Sequence, residues 1–165
     1  MPKLSKGTHL FFIDPEDDST VKVYKPKNID GIDAPLTDID ITGLDDEGFE
    51  YEGGMAQPGD VSVTLDLDPD KPSHMRLYAL MKTNPRPVLH FAVGWSDGTE
   101  QPSGTTADGW DFSSPTGRAY SIFRAHVKSM PQSFTINAMV GGTVTLKMSG
   151  DPDLKPKGYT TPVAP

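Results

Sequence analysis

Three aspartates at alternate positions form the strongest candidate in the sequence for metal chemistry. Asp66, Asp68 and Asp70 have the spacing of the first ligands of an EF-hand calcium loop, where carboxylate oxygens hold the ion. That loop also requires a glycine at its sixth position and a bidentate glutamate at its twelfth, and these positions hold Lys71 and Leu77. The pattern therefore predicts strand-end and helix-capping aspartates, and we predict neither a metal site nor a cofactor.

The residues that most often carry out catalysis show no useful arrangement. The four histidines, His9, His74, His90 and His126, are scattered without metal-ligand spacing, and the chain contains no cysteine. The sequence also lacks a nucleophile elbow, a phosphate-binding loop and a dinucleotide fingerprint. These motifs therefore identify no candidate catalytic residue, and a catalytic group assembled from distant positions stays open at this point. A metal-assisted hydrolase would rest only on the abundance of aspartate, and loss of activity on chelation would be its signature.

The formal net charge of −8 is distributed very unevenly along the chain. Residues 28–70 contain thirteen Asp and Glu and no Lys or Arg, which leaves a net charge of +5 on the remainder. Binding to nucleic-acid phosphates requires clustered Lys and Arg, so this segment argues against sequence-specific nucleic-acid binding. It is interpreted either as solvated surface that maintains solubility or as a face that meets the basic face of another copy.

A long segment rich in glycine and acid, TGLDDEGFEYEGGMAQPGD, occupies residues 42–60. It has no helical or strand period through most of its length, which predicts a loop without regular secondary structure. Loops longer than about 12 to 15 residues are usually functional or disordered. The segment nevertheless contains four large apolar residues, which argues against plain disorder: Leu44, Phe49, Tyr51 and Met55.

Alternating hydrophobicity predicts that most of the chain is β-structure. The clearest strand is 60–68, where Val61, Val63 and Leu65 share one face and polar residues occupy the other. Further strands are predicted at 9–13, 20–24, 88–95, 118–128, 133–140 and 143–149, with a hairpin turn at Gly141-Gly142.

One helix is predicted at about residues 72–84, because Leu77, Leu80 and Met81 recur at helical spacing. Asp70 or Ser73 is expected to cap its start, and the helix is expected to stop at Asn84-Pro85.

The predicted elements fit one domain, a β-sandwich or flattened barrel with a single flanking helix, over residues 1–150. Residues 151–165 form a Pro-rich tail that is expected to be extended or flexible. The sequence contains no apolar run of the roughly 18 to 20 residues that a membrane span needs and no secretory signal, so no membrane partner is predicted.

Two runs carry a resemblance to a known family. The run ITGLDDEGFEYEGGMAQPGDVSVTLDLDPDKPSHMRLYALM, followed by VLHFAVGWSDGT, resembles the major tail tube proteins of long, flexible-tailed (siphovirus-type) bacteriophages. The shared features are an acidic Gly-containing loop, a Pro-Gly-Asp entry to an alternating strand, a short helix and a strand that ends in Trp-Ser-Asp-Gly. The order of elements matches over roughly residues 5–150.

The resemblance implies a structural virion protein. Proteins of this family are non-enzymatic β-sandwiches that form hexameric rings, and the rings stack head to tail into the tube through which the genome leaves. The implied partners are other copies of the chain, the tape measure and tail tip proteins, the tail terminator, and genomic DNA that passes through the lumen without specific binding. The implied location is the virion tail, assembled in the host cytoplasm.

On this interpretation, the 42–60 loop is an assembly element between rings, carried by Leu44, Phe49, Tyr51 and Met55. An acidic lumen would repel DNA and limit drag on the duplex. The candidates for an acidic face, either in the lumen or at a ring interface, are Glu50, Glu52, Asp66 and Asp68.

The alternative is a ligand-binding β-sandwich of the carbohydrate-binding type. Trp95, Trp110 and Tyr120, near the polar loop 96–117, would then supply stacking faces for sugar rings. Sugar-dependent quenching of tryptophan fluorescence would distinguish this alternative.

Overall fold

A computed structural model describes residues 2–162 as twelve strands and one helix. In chain order the elements are β1 (His9–Ile13), β2 (Thr20–Lys22), β3 (Pro26–Asp30), β4 (Leu36–Asp40), β5 (Tyr51–Ala56), β6 (Asp60–Asp66), α1 (Pro72–Lys82), β7 (Leu89–Gly94), β8 (Gly104–Thr105), β9 (Gly109–Trp110), β10 (Tyr120–Ser129), β11 (Gly141–Met148) and β12 (Asp153–Lys155).

Eight of the strands form one antiparallel sheet that curls on itself. Its order is β2-β1-β7-β10-β11-β6-β3, and β12 pairs with the first half of β10. Strands β2 and β3 lie at opposite edges of this order, yet only residues 23–25 join them. Because three linking residues span at most about 13 Å between Lys22 and Pro26, the end of β2 must lie near the start of β3, and the sheet is strongly curved. The two edge strands are not paired with each other, so the sheet stays open, and the predicted class, mainly β with one flanking helix, is confirmed.

The main core lies inside this curled sheet. Alternate residues of β6 are buried, including Val61, Val63 and Leu65, as the sequence pattern predicts. Phe91 of β7 and Phe123 of β10 stack at its centre with ring centroids 5.3 Å apart. Each fully buried apolar side chain of this size contributes about 1.5 to 3 kcal/mol through removal from water, so this core is a main source of the stability of the sheet.

Helix α1 covers one side of the core, where it buries Leu77 and Leu80. The predicted helix is confirmed, but the predicted cap is wrong. The N-cap position is Lys71, which makes no side-chain cap. The Ser73 hydroxyl instead accepts a hydrogen bond from a backbone N–H in the loop after β2, at 3.1 Å.

Among the described residues, no helix is both long and apolar enough to cross a bilayer.

Residues 133–140 do not form the predicted strand, and the predicted turn at Gly141-Gly142 is also wrong. Alternating apolar residues require a partner strand, and here β6 ends at Asp66, opposite Gly141, so that 134–140 extend past the sheet. Gly141 and Gly142 instead begin β11. A side chain at position 142 would lie 2.7 Å from the Pro131 carbonyl oxygen, which explains the glycine.

The Pro-rich segment after residue 150 runs along the sheet as far as residue 162. Strand β12 pairs with β10, with Lys155 opposite Tyr120. Tyr159 packs edge-on against Phe112 at 5.6 Å, and both belong to a small second cluster on the outer side of β7 and β10. Residues 163–165, the end of the predicted tail, lie outside the described part of the chain.

A buried arginine ties several loops to the end of β7. Arg118 is 0% exposed. Its guanidinium donates hydrogen bonds of 2.8 to 3.2 Å to four backbone carbonyl oxygens, those of Gly7, Gly94, Trp95 and Glu100. Burial lowers the pKa of Arg118. The side chain therefore acts as a charged crosslink between the N-terminal segment and the loop after β7.

Candidate functional site

Strands β4 and β5 form a separate two-stranded hairpin that projects from the curled sheet, and we call residues 36–56 the arm. The predicted irregular loop at 42–60 is therefore wrong over much of its length, because Tyr51–Ala56 is a strand paired with Leu36–Asp40. The pairing has no alternating sequence signal, because most residues on both faces of the arm are exposed to solvent.

The arm continues the ladder formed by β3 and β6. Beyond that ladder, the Gly59 N–H donates to the Asp33 carbonyl at 3.2 Å and the Gln57 N–H to the Pro35 carbonyl at 2.9 Å. At the root, Gly31 has φ +90°, and a Cβ there would lie only 2.4 Å from the Asp60 carbonyl oxygen. At about 3.3 Å per residue, the stretch from Leu36 to Thr42, just before the turn at Gly43, is roughly 20 Å long.

The arm carries the four predicted apolar residues of the loop, and all four are exposed. Leu44 is fully exposed, Met55 is 84% exposed and Phe49 is 80% exposed. The rings of Phe49 and Tyr51 stack with centroids 6.5 Å apart. Contiguous exposed apolar side chains commonly mark an interaction surface, and a two-stranded hairpin alone is only marginally stable in water. The arm therefore presents to solvent four large apolar side chains that contribute nothing to the core.

The four predicted acidic residues lie in two separate places. Glu50 is at the tip of the arm and Glu52 lies in β5, and both are exposed. Asp66 and Asp68 lie at the far end of β6, where Asp66 forms an ion pair of 2.8 Å with Lys27. No single surface can therefore contain all four carboxylates.

The outer face of β3, β6 and β11 presents a row of small polar side chains. Thr64 lies opposite Thr143, and Ser62 lies opposite Thr145. All four residues are partly exposed. Alternation in 60–68 predicts the polar side of β6, whereas the continuation of this face onto β11 was missed, although the hydroxyl groups of Thr143 and Thr145 could have indicated it.

Charged residues along this polar face are paired. Asp60 accepts a hydrogen bond of 3.0 Å from the Lys128 ammonium group and lies 3.6 Å from that of Lys147. The hydrogen bond from Lys128 lowers the pKa of Asp60, with smaller effects from the charges of both lysines. With Lys27 bound to Asp66, three cations near this face have carboxylate partners.

Residues 1–158 match the family described as phage tail tube, TTP, lambda-like. The chain belongs to this family of phage tail tube proteins. It is therefore a structural component of the virion tail. The tail tube protein is 33% identical over 155 residues to Structural protein 3 of Pseudomonas phage PAJU2, a match that covers 93% of both chains.

Solved structures share the fold at low sequence identity. A chain in the sixfold-symmetrised cryo-EM structure of the anti-feeding prophage baseplate is similar with a TM-score of 0.70 and 9% identity, over 94% of this chain and 97% of that chain. The SPP1 tail tube, solved by solid-state NMR and cryo-EM, is similar with a TM-score of 0.59 and 12% identity, over 97% and 81% of the two chains. These likenesses support the tail tube fold.

The three aromatic residues of the alternative function do not form one binding platform on the tail tube protein. Tyr120 is 1% exposed, and its hydroxyl donates to the Glu100 carbonyl at 3.2 Å. The indole N–H of Trp110 donates to the Phe91 carbonyl at 3.1 Å, and that of Trp95 donates to the Ser121 hydroxyl at 2.9 Å. The expectation that Tyr120 offers a stacking face is wrong, because the side chain belongs to the second cluster.

Within residues 2–162, no three His, Asp or Glu side chains are arranged to hold a metal ion. His90 is partly buried and its Nε2 lies 3.2 Å from the Thr106 carbonyl oxygen. Asp68 does not act as a side-chain cap of α1, because its carboxylate instead accepts the Asp70 N–H at 3.0 Å. These contacts stabilise local turns of the tail tube protein.

Proposed function

We propose that this tail tube protein forms hexameric rings that stack head to tail into a conduit for the genome, with the arm as the contact between successive rings. The observation that carries the proposal is the arm itself, a projecting hairpin with exposed Leu44, Phe49, Tyr51 and Met55. The fold shared with the SPP1 tail tube and with a chain of a sixfold-symmetrised assembly supports this arrangement.

Within a ring, neighbouring copies are proposed to pair along open sheet edges. Strand β3 ends the sheet order and, within residues 2–162, pairs with β6 alone, so the backbone N–H and C=O groups on its other side are available. Edge strands of this kind add strands from another chain through main-chain hydrogen bonds. The charged side chains of Lys27 and Asp30 on β3 would restrict this pairing to the correct neighbour.

The polar face of β3, β6 and β11 is proposed to line the lumen. Its hydroxyl groups hold water well, and its nearby lysines are engaged by Asp60 and Asp66. Each phosphate contact from a free Lys or Arg would increase DNA affinity, so a surface with paired cations permits passage. Of the four acidic candidates, Asp66 belongs to this face, whereas Glu50 and Glu52 belong to the inter-ring contact.

The remaining partners follow from a stacked tube. The first ring requires a tail tip and the tape measure as a starting surface, and the last ring requires a terminator that covers the open end. Assembly takes place in the host cytoplasm, where the strong negative charge of the free subunit limits premature association. The role is structural and requires no catalysis.

Removal of the arm tests the proposal. In the armless variant, Asn-Gly replaces residues 36–56 and forms a favoured two-residue hairpin turn between Pro35 and Gln57. These two residues suit such a turn because the Gln57 N–H already donates to the Pro35 carbonyl. We expect a monomer that still unfolds cooperatively in urea and forms no tubes in electron micrographs. Tubes formed by the armless protein at the same concentration as the full chain would overturn the proposal.

A further inference from the structure

We infer that the aromatic tip of the arm docks into an apolar groove at the opposite end of a second copy of this chain. The inference rests on the stacking proposed above and names the surface that receives the arm. It also gives a role to residues 133–140, every one of which is exposed.

The groove lies between α1 and the segment that joins β10 to β11. Its volume is about 370 Å³, within the range of pockets that enclose organic ligands. The apolar residues that line it are Leu67, Met75, Tyr78, Met130, Phe134 and Val140.

Both ring nitrogens of His74, at the base of the groove, already have hydrogen-bond partners. His74 Nδ1 accepts the Asp68 N–H at 3.1 Å, so Nε2 carries the proton that is donated to the Tyr24 carbonyl at 2.8 Å. An entering aromatic ring would therefore leave no unpaired polar atom at His74. At the rim, Phe134 is 73% exposed and Ile136 is 88% exposed, so the uncovered apolar surface extends beyond the groove.

The arm and the groove lie at opposite ends of the same two strands. Asp60 pairs with Lys147 at the root of the arm, and Asp66 pairs with Gly141 next to the groove. The strand between these pairs is roughly 20 Å long, and the arm points away from the groove. An arm therefore cannot reach the groove of its own chain without breaking the β3–β6 ladder.

Charge is complementary between the two surfaces. The arm contains seven Asp and Glu and no Lys or Arg. Beside the groove, the Lys82 ammonium group lies 5.3 Å from the Tyr78 ring centroid, and Arg86 donates to the Lys128 carbonyl at 2.5 Å, two residues before Met130. Of the described residues that line the groove, Asp68 alone is acidic.

These observations favour a second copy as the occupant. A donor surface and an acceptor surface at opposite ends of one chain form a heterologous contact, and repetition of that contact produces an open stack. The predicted contact sets Phe49 and Tyr51 of one copy against Phe134 and Tyr78 of the next.

The absence of cysteine from the sequence permits a direct crosslinking test. Phe49→Cys protein is mixed with Phe134→Cys protein under assembly conditions and oxidised with copper phenanthroline. The dimer is isolated in the absence of reductant and digested, and its disulfide-linked peptides are identified by mass spectrometry, which separates the mixed dimer from the two homodimers. A matched mixture of Phe49→Cys with Leu154→Cys uses an exposed apolar position on β12, away from the groove. We expect a mixed covalent dimer from the first pair that the control pair lacks.

The same samples are viewed by electron microscopy, so that failure of the groove as the acceptor can be distinguished from failure of the stacked tube. Tubes without the 49–134 crosslink would overturn the groove as the acceptor and leave the stacked tube standing. Neither tubes nor crosslink, at the highest concentration and with a tail-tip seed, would overturn both. As a second variant, Phe134→Ser should fold normally and raise the concentration needed for assembly at least about tenfold, because truncation of a central aromatic contact typically has an effect of this size.

Discussion

Phe49 and Tyr51 stack on each other with ring centroids 6.5 Å apart while both remain largely exposed to solvent. Tyr51 begins β5 and Phe49 lies two residues before it, in a hairpin that adds nothing to the buried core. Large aromatic side chains in such an exposed position lower the solubility of a protein unless another surface covers them. This pair is therefore the feature of the fold that most directly indicates assembly.

Polar substitution of the pair should separate folding from assembly. For Phe49→Ser/Tyr51→Ser we expect the free energy of unfolding to change by less than about 0.5 kcal/mol, because exposed positions contribute little to stability. Tube formation should be lost, since aromatic side chains dominate the energy of most interfaces. Urea unfolding and electron microscopy check the two expectations, with Leu154→Ser as the control. Normal tubes from the double variant would contradict the role of the arm.

Cations introduced on the polar sheet face should slow DNA passage without preventing assembly. Thr64→Lys/Thr145→Lys places two new lysines per subunit on the face proposed for the lumen. Because each phosphate contact increases affinity and is weakened by salt, we expect slower genome release that recovers at higher ionic strength. The rate of DNA release from triggered virions provides the measurement, and Thr64→Ser/Thr145→Ser is the control. Release at the wild-type rate would show that this face does not line the lumen.

Loss of the buried arginine should destabilise the fold. Arg118→Met would leave four backbone carbonyl oxygens without their donor, and we expect a loss of about 2 to 4 kcal/mol in the free energy of unfolding. Arg118→Lys should restore only part of it, because an ammonium group cannot reproduce the planar set of donors. Chemical denaturation measures the effect, with the exposed Arg124→Met as control. Equal stability of Arg118→Met and Arg124→Met would contradict this role.

Stability should fall as the solution becomes mildly acidic. Burial, with Lys22 and Arg118 nearby, lowers the pKa of His9, and burial lowers the pKa of His90. Each imidazole therefore binds a proton more readily when the chain is unfolded. The stability that the neutral imidazole contributes is complete above the ordinary pKa of about 6.5 and is lost as the pH falls below it. Urea unfolding at about pH 7.5 and about pH 5.5 brackets this range. The variant His9→Gln/His90→Gln should show a smaller decrease, and an identical decrease would contradict the assignment.

The parts of the fold that could be predicted are those in which burial imposes a period on the sequence. Strand β6 alternates because one face is in the core, and α1 repeats at helical spacing because Leu77 and Leu80 face the sheet. The arm has no buried face, and Gly53-Gly54 interrupts its second strand, so its pairing left no periodic signal. Its four apolar residues still identified it as a surface of interest.

Alternation alone also gave an incorrect prediction at 133–140. Phe134 and Ile136 have the spacing of a strand, but the sheet provides no partner opposite them. The groove beside them depends on residues from α1, the end of β6 and this segment, which only the fold brings together. In the same way, nothing in the sequence around Arg118 distinguishes it from a surface arginine, because its partners are backbone atoms from distant loops.

Negative-stain electron microscopy of the purified chain, concentrated at low and at moderate ionic strength with a tail-tip seed, tests whether the chain assembles into tubes through the arm. We predict hollow tubes or sixfold rings for the full chain and dispersed particles for the armless variant. Dispersed monomers of the full chain under every condition would contradict it.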